Sequence, residues 1–159
     1  PQQVQVAWIK LANAGPNGSK IDHLIKLEAD TTTVLQNAKK RFPNLRIAYL
    51  ASRIYGGYAT TGLNPEPYAY EGAFAVRHLI QKQVAGDTDL ALDKSPLLLW
   101  GPYLWSEGEK GRKFDDLKYT KDDFGNDGTH PSNSGREKVA KQLLEFFATS
   151  PLAKGWFTK

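Results

Sequence analysis

An aspartate and a histidine stand three residues apart in the segment DGTHP, residues 127–131. An imidazole acts as a general base near neutral pH when a carboxylate fixes its tautomer and stabilises the imidazolium that forms. The Gly-Thr pair and the following Pro131 can bend the chain so that both side chains lie on one side of a turn. In that arrangement His130 would face a nucleophile, and Asp127 would support the other ring nitrogen.

The same segment also has a purely structural interpretation. Asp127 could cap a turn, and His130 could be a surface residue that precedes the last helix. Ser134 and Glu137 are expected to form a capping box for that helix, so Asp127 is not needed as its cap. From these residues alone, both interpretations stay open.

The elements that must position this segment follow an alternating pattern. Short apolar stretches predict buried strands at residues 4–12, 45–52 and 96–100. Helices are predicted from 21 to 42, from about 69 to 86, and behind residue 134. Their expected buried positions are Leu24, Leu27, Val34, Ala38, Ala69, Ala73, Val76, Ile80, Val84, Val139, Leu143 and Phe146. The alternation is typical of a single-domain α/β fold with a parallel sheet.

Binding sites in such folds gather at the carboxyl ends of the strands. The loops expected there cover residues 10–18, 52–64, 101–108 and 127–131, and they should open onto one crevice. Four aromatic residues in these loops could form a platform for a sugar ring, or could simply pack the loops on the sheet: Tyr55, Tyr58, Tyr103 and Trp105.

Three further polar residues have both a functional and a structural interpretation. Arg53 could meet an anionic or carbonyl group of a substrate, or could form a surface ion pair, for example with Glu71. His23 and His78 fall at positions that should face solvent on their helices, where no function is expected.

Composition excludes several classes of function. The formal net charge of +4 comes from cations interspersed with acidic residues, so no basic stripe for nucleic acid is expected. No apolar run reaches the roughly 20 residues of a membrane-spanning helix. The chain has no cysteine, and a metal site built on Asp127 and His130 would lack further ligands, so neither a metal nor another cofactor is expected. Composition leaves the compartment undecided, and a periplasmic or secreted location is compatible with it.

The segment DGTHPSNSGREKVAKQLLEFF, residues 127–147, resembles the last sequence block of the SGNH hydrolases, the GDSL-type esterases and lipases. In that family an Asp-x-x-His-Pro segment supplies the acid and base of a Ser-His-Asp triad just before the C-terminal helix. Residues 44–76 and 98–105 also resemble uncharacterised bacterial members. The family hydrolyses esters, including acetyl groups on sugars, on a flavodoxin-like three-layer fold without a metal.

The resemblance implies a role for each residue that matches. His130 would be the general base, and Asp127 would be its orienting acid. The family's Gly-x-Asn-Asp block falls on residues 11–14, where only Asn13 matches. Asn13 would then donate its amide to the oxyanion, although it could equally be an ordinary loop residue after a strand.

The chain departs from the family in lacking the Gly-Asp-Ser block that carries the nucleophile. It begins at what would be the third strand, so the resemblance implies that the first two strands and the serine belong to a missing N-terminal segment or a companion chain. A start at Pro1 and the absence of methionine agree with that expectation. Ser52 is the best-placed serine of the chain, but it lacks the glycines of a nucleophile turn, and Ser106, Ser132 and Ser134 are weaker candidates.

The sequence therefore predicts the C-terminal part of an SGNH-type ester hydrolase. Its expected substrate is an acylated, in particular acetylated, carbohydrate, and the chain alone is expected to be inactive. The alternative is a non-catalytic carbohydrate-binding or scaffold protein that has the same fold.

Overall fold

A three-stranded parallel sheet forms the centre of the protein, which this computed structural model describes over residues 2–158. The strands are β1 (Val6–Lys10), β2 (Ile47–Ala51) and β3 (Leu97–Trp100). The helices are α1 (Lys20–Arg41), α2 (Tyr68–Val84), α3 (Asn133–Thr149) and the short α4 (Lys154–Phe157). The predicted α/β class with a parallel sheet flanked by helices is confirmed, and all three predicted strands are present with shorter ends.

The strands lie in the order β1–β2–β3, so all three carboxyl ends meet at one edge of the sheet. Val6 pairs with Ile47, which pairs in turn with Leu97. Between residues 2 and 158 no strand pairs with the other side of β1. Within the same residues no helix is both long and apolar enough to cross a membrane.

Each face of the sheet has its own apolar layer, because successive side chains of a strand point to opposite faces. Leu50 of β2 packs with Leu35 of α1 and Leu79 of α2 on one face. On the other face, Ala51 lies in a second cluster with Tyr119 and Phe124, against which Val139 of α3 packs. The sheet is therefore covered by helices on both sides.

The predicted helix faces were wrong at two positions. Val34 and Val84 are exposed, the latter to 84%, whereas Leu35 and Leu79 are buried. The reason is that α1 and α2 pack against each other as well as on the sheet. At their contact Leu27 packs against Gly72, so the buried side of each helix depends on the other helix as well as on the sheet.

The start of α3 also differs from the expected capping box. Ser132 is the N-cap, and its Oγ accepts a hydrogen bond from the Gly135 N–H at 3.4 Å. Ser134 Oγ instead donates to the Asp123 carboxylate at 3.0 Å. Asp127 is therefore not the cap of this helix, as expected, but the serine that caps it was misassigned.

Arg112 fixes the long loop between β3 and α3. Its guanidinium donates to both oxygens of Asp115, at 2.8 and 2.6 Å, and to Gln142 of α3 at 3.0 Å. It also donates to the backbone carbonyls of Tyr103 and Trp105. One planar donor group thus ties the start and the middle of the loop to the last helix.

The core can be tested at Leu79, which is 1% exposed. We expect Leu79→Ala to lower the free energy of unfolding by about 2–5 kcal/mol, because it removes buried apolar surface and leaves a cavity. The matched control Leu144→Ala, at a leucine that is 61% exposed, should change it by less than about 0.5 kcal/mol. Urea unfolding followed by circular dichroism measures both, and equal losses would contradict the packing described.

Candidate active site

Asp127 and His130 form a hydrogen-bonded pair at the carboxyl edge of the sheet. The distance between His130 Nδ1 and Asp127 Oδ2 is 2.5 Å. In the neutral imidazole, Nδ1–H donates to this carboxylate, so Nε2 carries a free lone pair. The His130 side chain is 66% exposed, and Nε2 is therefore accessible to a molecule that approaches from solvent. This is the geometry required of a general base.

The Asp127 carboxylate is held in place by the backbone. Its Oδ1 accepts hydrogen bonds from the N–H groups of His130 and Thr129, each at 3.0 Å. These bonds, first that from the His130 N–H, and the contact with the imidazole hold the pKa of Asp127 well below its ordinary value. The carboxylate therefore stays ionised and fixes the imidazole tautomer.

Gly128 allows the turn that brings the pair together. Its φ angle is +63°, and a Cβ atom there would lie 1.8 Å from the carbonyl oxygen of Tyr58. The neighbouring Asp127 carbonyl accepts a hydrogen bond from the Thr60 N–H at 3.0 Å. The turn is thus pressed against the loop that follows β2, and only glycine fits at this position.

Asp123 supports the other end of the turn. Its buried carboxylate accepts from Lys138 Nζ at 2.6 Å and from Ser134 Oγ at 3.0 Å, both on α3. Its carbonyl oxygen lies 2.1 Å from the place where a Cβ of Gly135 would be. The segment that leads into the Asp127–His130 turn is consequently anchored on the first turns of α3.

A cleft of about 310 Å³ opens beside His130. Its walls come from β1, from the segment after β2, from the turn, and from one face of α3. The lining residues are Trp8, Lys10, Arg53, Ile54, Thr129, His130, Pro131, Arg136, Val139, Ala140 and Leu143. A larger depression of about 660 Å³ lies between α1 and residues 89–94, but its walls contain neither histidine nor serine. The cleft at His130 is the candidate site because it holds the imidazole of the Asp127–His130 pair.

Arg53 lines this cleft, which is compatible with the substrate contact that the sequence left open as one of two interpretations. Its Nη2 donates to the Thr129 carbonyl at 3.3 Å, which joins the end of β2 to the turn. Burial lowers the pKa of the guanidinium, and the Asp127 charge opposes that shift. The ion pair with Glu71 considered from the sequence is not among those formed within residues 2–158.

Asn13 lies outside the cleft lining, and its amide is already engaged. Nδ2 contacts His23 Nδ1 at 2.9 Å and donates to the His23 carbonyl at 3.0 Å. Its backbone carbonyl accepts from Asn64 Nδ2 at 3.3 Å. Donation to an oxyanion, as predicted from the resemblance, would require this amide to leave His23.

The expectation that His23 faces solvent was wrong. The residue is 2% exposed, because the Asn13 amide covers one side and the Tyr68 ring lies at a centroid distance of 5.1 Å. Burial lowers the pKa of its imidazole, and the Glu71 carboxylate opposes that shift. His78, by contrast, is half exposed and contacts Glu28 at 2.8 Å across α1 and α2.

Three of the four loop aromatic residues, Tyr55, Tyr58 and Trp105, pack together as a cluster. Tyr55 packs edge-on against Tyr58 at 5.2 Å and against Trp105 at 6.3 Å between ring centroids. Trp105 Nε1 donates to Glu66 at 2.8 Å. Tyr103 lies apart, beside the Arg112 guanidinium. None of the four aromatic residues lines the His130 cleft, so their contact with a substrate stays a prediction.

No serine of residues 2–158 makes a hydrogen bond to His130. Ser52 and Ser106 are buried, and the hydroxyl of each lacks a partner. At the start of α3 the Ser132 hydroxyl donates to the Asp122 carbonyl and the Ser134 hydroxyl to the Asp123 carboxylate. Within the described range, no three His, Cys, Asp or Glu side chains come together as they would around a metal ion.

Sequence reasoning missed several residues of the cleft, chiefly Trp8, Lys10 and Arg136. Trp8 and Lys10 are two residues apart on β1, and that spacing alone places them on one face of the sheet. The face covered by α3 could be identified only from the structure.

Comparison with known proteins gave no match: no family model, no curated protein and no solved structure matches the chain.

The turn can be tested at Gly128. We expect Gly128→Ala to cost at least about 1–2 kcal/mol of unfolding free energy, because a side chain is disfavoured at positive φ and this one would strike the Tyr58 carbonyl. Gly62→Ala is the control, since no atom lies within 4 Å of a Cβ built there. If Gly128→Ala proved as harmless as Gly62→Ala in a urea titration, the turn described here would be incorrect.

Acid unfolding tests the bonds to Asp127. Its pKa is lower in the folded state than the value of about 3.9 in an unfolded chain, so it stabilises the fold above about pH 4. That contribution to stability is lost as the pH falls from about 4 toward the pKa that Asp127 has in the folded state. The wild-type chain should therefore lose more unfolding free energy between about pH 5 and about pH 2 than Asp127→Asn does. Asp93→Asn, at an exposed residue, should behave like the wild type, whereas identical pH profiles for wild type and Asp127→Asn would contradict the assignment.

Proposed function

We propose that this chain is part of an SGNH-type serine ester hydrolase, with His130 as general base and Asp127 as its orienting acid. The observation that carries the proposal is the 2.5 Å contact between His130 Nδ1 and Asp127 Oδ2, at an exposed imidazole that lines an open cleft. The likeness of residues 127–147 to the last block of that family adds the reaction class. The three-layer flavodoxin-like arrangement of that family is compatible with the parallel sheet described above.

The proposed reaction begins with a serine hydroxyl placed at His130 Nε2. Nε2 takes the hydroxyl proton while the serine oxygen attacks the ester carbonyl carbon, and the imidazolium then gives that proton to the leaving alcohol. A water molecule, activated in the same way, releases the acid from the acyl-serine. Asp127 remains ionised throughout and stabilises the imidazolium. The proposed oxyanion donor is Asn13, in a conformation in which its amide is released from His23.

The serine is proposed to come from a further segment or a companion chain of the same protein. Two observations support this source. The serines within residues 2–158 make no contact with His130, as described above. In addition, the free side of β1 leads to the cleft, since Lys10 at the carboxyl end of β1 is one of its walls. A parallel strand added to β1 would therefore end beside His130.

The proposed substrates are acyl esters of carbohydrates, in particular acetyl esters. The resemblance to the family supports this class. The walls formed by Ile54, Val139 and Leu143 are apolar and suit a short acyl group. Neither a metal nor another cofactor has a part in the proposed reaction.

A second candidate is a non-catalytic carbohydrate-binding or scaffold protein on the same fold. The specific observation in its favour is that Ser52 and Ser106 are buried away from His130 while the aromatic cluster around Tyr55 and Trp105 is intact. The two candidates differ in whether a serine becomes acylated.

The test uses the full-length protein, or this chain together with any companion that co-purifies. We expect His130→Ala to lower the hydrolysis of p-nitrophenyl acetate and of acetylated xylose at least about a thousandfold, because the serine loses its base. Asp127→Asn should cause a comparable loss through the wrong tautomer. His78→Ala, at a half-exposed histidine far from the cleft lining, should retain activity.

Full activity in a folded His130→Ala protein would overturn the hydrolase proposal. A fluorophosphonate probe gives the second measurement, since it labels an activated serine covalently. Failure of the wild-type protein both to hydrolyse the esters and to react with the probe would favour the binding or scaffold protein instead.

A further inference from the structure

Two basic side chains from neighbouring strands line the cleft beside His130. Lys10 ends β1 and pairs in register with Ala51, and Arg53 follows Ala51 by two residues. Both side chains are largely removed from solvent. Burial, and secondarily the nearby Arg53 charge, lower the pKa of Lys10 to about 8. The two positive groups therefore belong to the lining of one cleft.

No acidic side chain of residues 2–158 forms an ion pair with either of these cations. The cleft lining contains no aspartate or glutamate. Arg53 Nε is buried without a partner in the same range. Asp127 acts on Arg53 through space, but its two oxygens are occupied by His130 and by backbone N–H groups.

Such an arrangement is costly in an empty cleft and favourable with an anion in it. A partly buried charge that lacks a counterion loses hydration without a compensating contact. Repulsion between two like charges adds to that cost. One negative group between them lowers both the desolvation cost and the repulsion. Trp8, which lines the same cleft, has an indole N–H that also lacks an acceptor among the described residues. The walls thus offer donors and no acidic groups.

We infer that the cleft binds the carboxylate of an anionic ligand between the Lys10 ammonium and the Arg53 guanidinium. A guanidinium matches the planar, two-oxygen shape of a carboxylate. The rest of the ligand lies along the apolar wall of Ile54, Val139 and Leu143. The small volume and this apolar wall favour a compact carboxylate with an aliphatic body over a multiply charged phosphate. Its use as a substrate pocket rests on the proposed function, whereas the binding itself does not.

Octanoate is the probe for this site, and octan-1-ol is the neutral comparison. Isothermal titration calorimetry of the purified chain should show octanoate binding, with the alcohol at least about tenfold weaker, because a charge-assisted hydrogen bond contributes about 1.5–3 kcal/mol. Lys10→Met and Arg53→Gln should each weaken octanoate about tenfold or more and leave the alcohol unchanged. Arg77→Gln, at an exposed arginine of α2, is the matched control. The indole N–H signal of Trp8 should shift during the titration.

A second measurement distinguishes the source of the carboxylate. The peptide acetyl-Val-Asp-Val-amide presents an aspartate on an extended strand, as a polypeptide partner would. Tighter binding of the peptide than of octanoate, with the same loss in Lys10→Met, supports a carboxylate from a polypeptide. Tighter binding of octanoate supports a small-molecule ligand. If neither probe binds, or if both bind Lys10→Met as well as wild type, the inference is overturned.

Stability in the absence of ligand gives an independent check. Because Lys10 is a partly buried cation without a partner, Lys10→Met should raise the urea midpoint of the ligand-free chain or leave it unchanged. A clear destabilisation would show that Lys10 has a compensating contact and would overturn the inference. These measurements involve no turnover, so their failure is distinguishable from a failure of the proposed hydrolase.

Discussion

The candidate site depends on two places where a backbone carbonyl lies against a glycine. The Tyr58 carbonyl occupies the space of a side chain at Gly128, and the Asp123 carbonyl does the same at Gly135. Between these contacts the turn of residues 127–131 is clamped on one side by the loop after β2 and on the other by α3. Dense packing leaves such a segment little freedom. His130 therefore has a defined position although most of its ring is in solvent.

The charged residues around the turn fall into two groups: acidic residues that accept hydrogen bonds, and basic residues that line the cleft. Asp123 and Asp127 are both saturated with donors, which makes them structural and orienting groups. Lys10 and Arg53 line the cleft, where Arg53 Nε is buried without an acceptor among residues 2–158. The acids thus hold the imidazole, while the bases face the space that a ligand would enter. A general base between a fixed carboxylate and a cationic cleft is suited to a reaction in which negative charge develops on the substrate.

Local patterns in the sequence were sufficient for the order of the elements, and they allowed the Asp127–His130 contact as one of two interpretations. Apolar runs of strand length predicted all three strands, and the bend at Gly128 and Pro131 made it possible for the two side chains to meet. The exposure of Val84 and the burial of His23 could not be predicted in this way, because each depends on a neighbour distant in sequence. The position of Lys10 in the cleft could not be predicted either, because the cleft is known only once α3 is seen to cover that side of β1. Periodicity identifies the face that a residue occupies but not what lies opposite.

The free side of β1 links the two proposals made for the cleft. A parallel strand paired there would follow β1 to its carboxyl end and arrive at Lys10, next to His130. If that strand carries the nucleophile, its last residues enter the cleft where two positive charges lack a partner. A carboxylate on it would neutralise Lys10 and Arg53 and fix its register, since one residue of slip would turn the acid to the opposite face. If the strand carries no acid, the charges remain available to an anionic substrate. The electrostatics of the cleft therefore limit which residue types a strand paired with β1 could carry beside His130.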